Sequence, residues 1–139
     1  MDSFIKIVEQ KKSPVVTTIH TKQIELIRRY ISEGKNVFIC GPIGVGKTFI
    51  LDTVLEGTNN IELLPHHLKK DSHFLPFIKP SKKHVYIDNY DTTFKSIIEQ
   101  VSDGNKLTRG CLLVTTTTMC MFPNFETVMV PRHSPNVLM

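Results

Sequence analysis

Eight consecutive residues, Gly41-Pro42-Ile43-Gly44-Val45-Gly46-Lys47-Thr48, satisfy the pattern G-x-x-x-x-G-K-[ST] at every fixed position. Each fixed position has a chemical reason. A loop that wraps phosphates turns its backbone N–H groups inward, and glycine reaches the required angles at little steric cost. A helix opening at Lys47 aims its free N–H groups and positive dipole end at the same anion. The Lys47 ammonium then reaches the terminal phosphates, and the Thr48 hydroxyl completes a Mg²⁺ shell. Gly41, Pro42, Ile43, Gly44, Val45, Gly46, Lys47 and Thr48 are therefore the expected nucleotide-binding residues.

A second group lies downstream. His84-Val85-Tyr86-Ile87-Asp88 reads as an apolar strand ending in a carboxylate, well placed to share with Thr48 the Mg²⁺ of a bound ATP. The same aspartate also suits a cap after the strand. Asn89 follows it; an amide positions a water but cannot take its proton, so binding is a firmer expectation than turnover. Asp91 is the nearest spare carboxylate, and its place before a helical stretch favours an N-cap. Leu112-Leu113-Val114-Thr115-Thr116-Thr117-Thr118 runs from apolar residues into hydroxyls.

The elements that must position these groups alternate between strand and helix, which points to an α/β layer fold. Ile24, Ile27 and Ile31 fall at helical spacing within Lys22 to Glu33, and Gly34 stops that helix. Asn36 to Cys40 is apolar on both faces, as a buried parallel strand is. A helix over Lys47 to Glu56 follows the glycine loop, with Gly57 beyond its end. Ile61 to Leu64 reads as a short strand and His84 to Asp88 as the third. Thr92 to Ser102 reads as an amphipathic helix, Cys111 to Thr117 as the fourth strand and Thr127 to Val130 as the fifth. The proline-interrupted stretch His66 to Lys83 reads as a loop with one helical turn.

With 139 residues the chain has the length of one domain, expected over 19–139 behind a lead-in at 1–18. The net charge of +4 mildly favours an anionic partner. Cys40, Cys111 and Cys120 lie in or beside apolar runs without paired spacing, which argues for reduced core thiols rather than disulfides or zinc. No apolar run is long enough to span a bilayer, and Met1 to Val8 lacks the apolar stretch of a secretion signal. The expectation is a soluble intracellular protein, cytoplasmic or nuclear, with no membrane partner.

Taken together, Ile19 to Pro135 resembles the AAA+ ATPases, especially clamp-loader subunits and DnaA-type initiators or helicase loaders. The resemblance implies a P-loop NTPase core: a three-layer α/β sandwich with a parallel five-stranded sheet in the order 5-1-4-3-2. It makes Gly41 to Thr48 the Walker A motif and Val85 to Asn89 the Walker B motif. It places sensor 1 at Thr116, with Thr115 and Thr117 as near-equal candidates. Lys47, Asp88, Asn89 and Thr116 are then the catalytic candidates, and Thr48 and Asp88 the metal ligands. It also implies ATP with Mg²⁺ as cofactors, work on DNA in replication, and a protein partner or second copy completing the site.

Two departures from the family stand out. Met121 to Glu126 contains no arginine where a trans-acting finger is usual; Arg109 and Arg132 are the late arginines. The helical lid would begin near Pro135, close to the last residue given.

Other functions fit parts of the pattern. A superfamily-3-type viral helicase relative suits the Gly-Pro start and short spacing. A small nucleotide kinase and a nucleotide-gated adaptor that does not hydrolyse ATP are the others. Lys69, Lys70, Lys79, Lys82 and Lys83 cluster around Phe74 and Phe77, a composition that grips single strands or else forms a solvated loop pinned by its rings. His66, His67 and His73 lack partners at metal-ligand spacing.

Overall fold

The computed structural model describes residues 20–118 and 121–132. The lead-in over 1–18, Cys120 and the region near Pro135 lie outside them.

Val37, Phe38, Ile39 and Cys40 of β1 (Asn36–Cys40) are each no more than 1% exposed. A strand apolar on both faces must be covered on both, and the chain supplies two layers to do it. On one side, Val37 and Ile39 pack with Ile24 and Ile27 of α1 (residues 20–32) and with Ile50, Leu51 and Val54 of α2 (Lys47–Leu55). On the other, Phe38 packs with Phe74 and Ile78 of α3 (Phe74–Ile78) and with Ile97, Ile98 and Val101 of α4 (Lys95–Ser102). Each such buried side chain contributes about 1.5–3 kcal/mol. Phe38 also lies 4.6 Å from the Phe125 ring and 5.6 Å from Phe122, so its loss costs about 3–5 kcal/mol.

The remaining strands are β2 (Asn60–Glu62), β3 (His84–Ile87), β4 (Leu112–Thr116) and β5 (Phe125–Met129). All four strand pairings are parallel, and the order is β2-β3-β4-β1-β5. This is the expected three-layer α/β sandwich, with the same order read from the other edge. Because β4 lies between β1 and β3, the chain segments leaving these three strands converge on one edge, the usual ligand side of such sheets.

The second and fifth strands start earlier than expected, at Asn60 and Phe125, and two other stretches differ in kind from the sequence expectation. The segment read as a loop holds a 3₁₀ turn at Pro65–Leu68 and the helix α3. Pro76 does not break α3 because it is the third residue, where no intrahelical N–H bond is due. The expected helix over Thr92 to Ser102 begins as a 3₁₀ turn at Thr92–Phe94 before α4. Asp91 caps that turn by accepting from the Thr93 N–H at 2.8 Å.

Candidate functional site

The glycine loop is tied to the strands on either side of β1. The Gly41 N–H donates to the Thr116 carbonyl at 3.1 Å, and the Val130 N–H donates to the Cys40 carbonyl at 2.7 Å. The approach is so close that a Cβ at Gly41 would sit 2.4 Å from the Val130 carbonyl oxygen. Gly46 adopts φ 98° and leads directly into α2, with its would-be Cβ 2.7 Å from His20 Nε2. Val45 turns inward to the core, while Ile43 stands 85% exposed at the apex.

The start of α2 is bare. No side chain caps it, and no acidic residue occupies its first turn. Its leading N–H groups and dipole are therefore left for an anion from outside the helix. Lys47 is 7% exposed and donates from Nζ to the carbonyls of Gly41 and Pro42, the latter at 2.7 Å. An ammonium has three N–H donors, so this clasp leaves one for a phosphate oxygen. Burial pulls the Lys47 pKa below the usual lysine value, opposed by the negative charge of Asp88.

Asp88 leaves β3 facing this helix start. Thr48 Oγ1 stands 3.3 Å from Asp88 Oδ1 and 3.2 Å from Oδ2. Adjacent oxygens around an octahedral Mg²⁺ lie about 3.0 Å apart when metal–oxygen distances are about 2.1 Å, so the spacing fits a shared ion. Among the described residues no three His, Cys, Asp or Glu side chains gather as a metal site. An ion here would therefore draw most of its shell from phosphate and water, as Mg²⁺ commonly does.

Thr115 fixes the aspartate. Its hydroxyl, on a residue with no exposed surface, donates to Asp88 Oδ1 at 2.8 Å and accepts from the Asn89 N–H at 2.7 Å. The Tyr90 N–H donates to the Thr115 carbonyl at 2.8 Å. These bonds clamp the turn after β3 onto the end of β4 and hold Asn89 at φ 74°, the left-handed region.

Lys47, Thr48, Asp88, Asn89 and Thr115 thus come together. Thr116 does not join them: strand alternation sends its hydroxyl to the other face, where it donates to the Thr118 carbonyl at 3.2 Å. Thr117 is exposed. Sequence reasoning missed the Lys47 clasp and the packing of His20 on Gly46, because nothing in residue spacing signals either. Arg109 is anchored at the strand-start edge, its N–H donating to the Ser81 carbonyl at 2.8 Å, whereas Arg132 is exposed just after Val130 at the loop edge. His67 holds a structural place: its Nδ1 accepts from the Leu64 N–H at 2.9 Å, and its ring stacks on Phe74 at 4.0 Å.

No protein-family model matches the sequence, and no curated protein matches it either. Solved structures do match. A STAND-class signal transduction ATPase with a tetratricopeptide repeat sensor from Pyrococcus horikoshii superposes with a TM-score of 0.54 at 12% identity, over 79% of this chain and 22% of its own. The T158V variant of RuvB from Thermotoga maritima superposes with a TM-score of 0.50 at 18% identity, over 80% of this chain and 43% of its own. The chain has the P-loop fold of the AAA+ type. The chain spans less than half the length of either structure. Among its described residues, no helix is long and apolar enough to cross a membrane.

Proposed function

We propose that the chain binds Mg-ATP as an AAA+-type core and acts in DNA replication as a loader or remodelling subunit. The observation that carries the nucleotide reading is the convergence of three things: an uncapped helix start, the clasped Lys47, and the Thr48–Asp88 oxygen pair held by Thr115. The loop N–H groups and the spare Lys47 donor bind and orient the phosphates. Thr48 and Asp88 offer oxygens to Mg²⁺, whose charge offsets that of the phosphates. In this reading the core spans 19–139 behind a lead-in at 1–18, and a second copy or a protein partner supplies the missing arginine.

Asn89 favours a second reading. Its side chain is exposed, stands where the family keeps a glutamate, and cannot act as a general base. Asp91, the other nearby carboxylate, is occupied as a cap. A core with this composition binds ATP tightly and turns it over slowly, as a nucleotide-gated adaptor does.

The two readings separate in a pair of assays. Titration with a fluorescent ATP analogue is expected to show Mg²⁺-dependent binding that Lys47→Ala weakens by about 2–5 kcal/mol. Equal affinity in the two proteins, both folded by circular dichroism, would reject the site. Phosphate release raised by single-stranded or primed DNA supports the loader; binding without release supports the adaptor.

A further inference from the structure

We propose that the edge of the sheet opposite the glycine loop carries a groove for single-stranded nucleic acid. The strands are parallel, so the residues entering β1, β3 and β4 share that edge. There the segment Lys79 to Lys83 is bound to the segment Lys106 to Gly110. Thr108 Oγ1 donates to the Lys83 carbonyl at 2.6 Å and lies 3.1 Å from the Ser81 carbonyl, to which the Arg109 N–H donates. Gly110 makes the pairing possible, since a Cβ there would lie 2.6 Å from the Lys83 carbonyl oxygen.

This union brings Lys79, Lys106 and Arg109 into the lining of one groove, with Lys82 and Lys83 on the bound segment outside it. A groove of about 580 Å³ runs past Pro76, Lys79, Gln100 and Lys106. It continues into a smaller depression of about 90 Å³ lined by Lys106, Arg109 and Gly110. No carboxylate lines either part, although Glu99 and Asp103 stand exposed on and just after α4. Among the described residues the ion pairs are those of Lys35 with Glu33 and Glu126, so the three cations that line the groove, Lys79, Lys106 and Arg109, form none.

Outside the groove's lining, α3 also offers an aromatic face. Phe77 is 59% exposed on α3, with Lys83 Nζ 5.5 Å from its ring centroid. Phe74, the other ring of this region, is spent on the core at 8% exposure. Unpaired cations beside an exposed ring match a strand whose phosphates need charge and whose unstacked bases need a platform. A duplex hides its bases, and an acidic peptide has none, so both fit less well. Lys69, Lys70, Lys82 and Lys83 do not line the groove.

The test is fluorescence anisotropy of the full chain with a labelled oligo-dT of about twenty nucleotides. Three phosphate contacts predict an affinity loss of about twentyfold between about 50 and 200 mM salt. Lys79→Glu/Lys106→Glu/Arg109→Glu is expected to weaken binding more than about tenfold and to flatten the salt dependence. Phe77→Ala is expected to cost at least about fivefold with the salt dependence unchanged. Thermal melting and retained binding of the fluorescent ATP analogue check the fold; Lys79→Gln/Lys106→Gln replaces the triple variant should that fail to fold. Absence of binding by the unmodified chain, binding untouched by the charge variants, equal affinity for a duplex, or displacement by polyglutamate as effective as by unlabelled oligo-dT would each overturn the proposal.

Discussion

Replacing Thr115 with valine keeps the volume and the β-branched shape and removes one hydroxyl. That hydroxyl makes two bonds, a donation to the Asp88 carboxylate at 2.8 Å and an acceptance from the Asn89 N–H at 2.7 Å. A bond to a charged group contributes about 1.5–3 kcal/mol and a neutral one about 0.5–1.5 kcal/mol. Exposure of Asn89 lets water recover part of the second, so the expected loss is about 2–4 kcal/mol. Thr116→Val is the matched control, because among the described residues the Thr116 hydroxyl serves its local turn, 3.2 Å from the Thr118 carbonyl; about 1 kcal/mol or less is expected. Urea denaturation should show a midpoint drop of more than about 1 M for Thr115→Val and a small one for Thr116→Val. A Mn²⁺–ATP titration should weaken in the first variant alone, since only there is Asp88 released. Equal effects of the two substitutions, or a larger effect of Thr116→Val, would refute the assignment of Thr115 as the residue that positions Asp88.

Further predictions concern the loop, the turn and the histidines. Gly46→Ala should destabilise more than Gly44→Ala. Both need positive φ, 98° and 84°, but only at Gly46 does the new Cβ meet a neighbour, His20 Nε2 at 2.7 Å; denaturation midpoints in the opposite order would contradict this. Asn89→Glu should raise ATP turnover while losing about 1 kcal/mol of stability, because a glutamate is strained at φ 74° where asparagine is tolerated. An unchanged rate in the presence of partners would leave Asn89 without a catalytic consequence. Burial holds the pKa values of His84 and His67 below the ordinary value of about 6.5, and both rings accept a backbone N–H at Nδ1. Their contribution is complete above about pH 6.5 and is lost as pH falls toward the folded-state values, where the unfolded chain takes up protons first. Urea midpoints from about pH 8 to about pH 5 should therefore decline, and His84→Asn should flatten part of the decline.

Much of this architecture can be read from the residues. The glycine pattern, the doubly apolar strand before it and the carboxylate after the third strand all reflect strong local requirements, so their placement follows from type and spacing. The threonine row is different. Four adjacent hydroxyls look alike in sequence, and only the register of β4 against β1, with Cys40 opposite Thr116 and Ile39 opposite Thr115, decides which one faces Asp88. The helix α3 was hidden because Pro76 normally argues against a helix, and its harmless position depends on where the helix begins. The basic surface was only half visible. Lys79, Lys82 and Lys83 stand out as a run, but Lys106 and Arg109 join them through hydrogen bonds spanning about 25 residues of chain.

The account stands most directly on calorimetry of the chain with ATP in the presence and absence of Mg²⁺. Saturable heat at one site per chain, weakened by withdrawal of Mg²⁺ and by Asp88→Asn, is the predicted result. No heat with any Mg-nucleotide, or binding indifferent to both Asp88 and Mg²⁺, would contradict the reading of the glycine loop and its facing aspartate as a metal–triphosphate site.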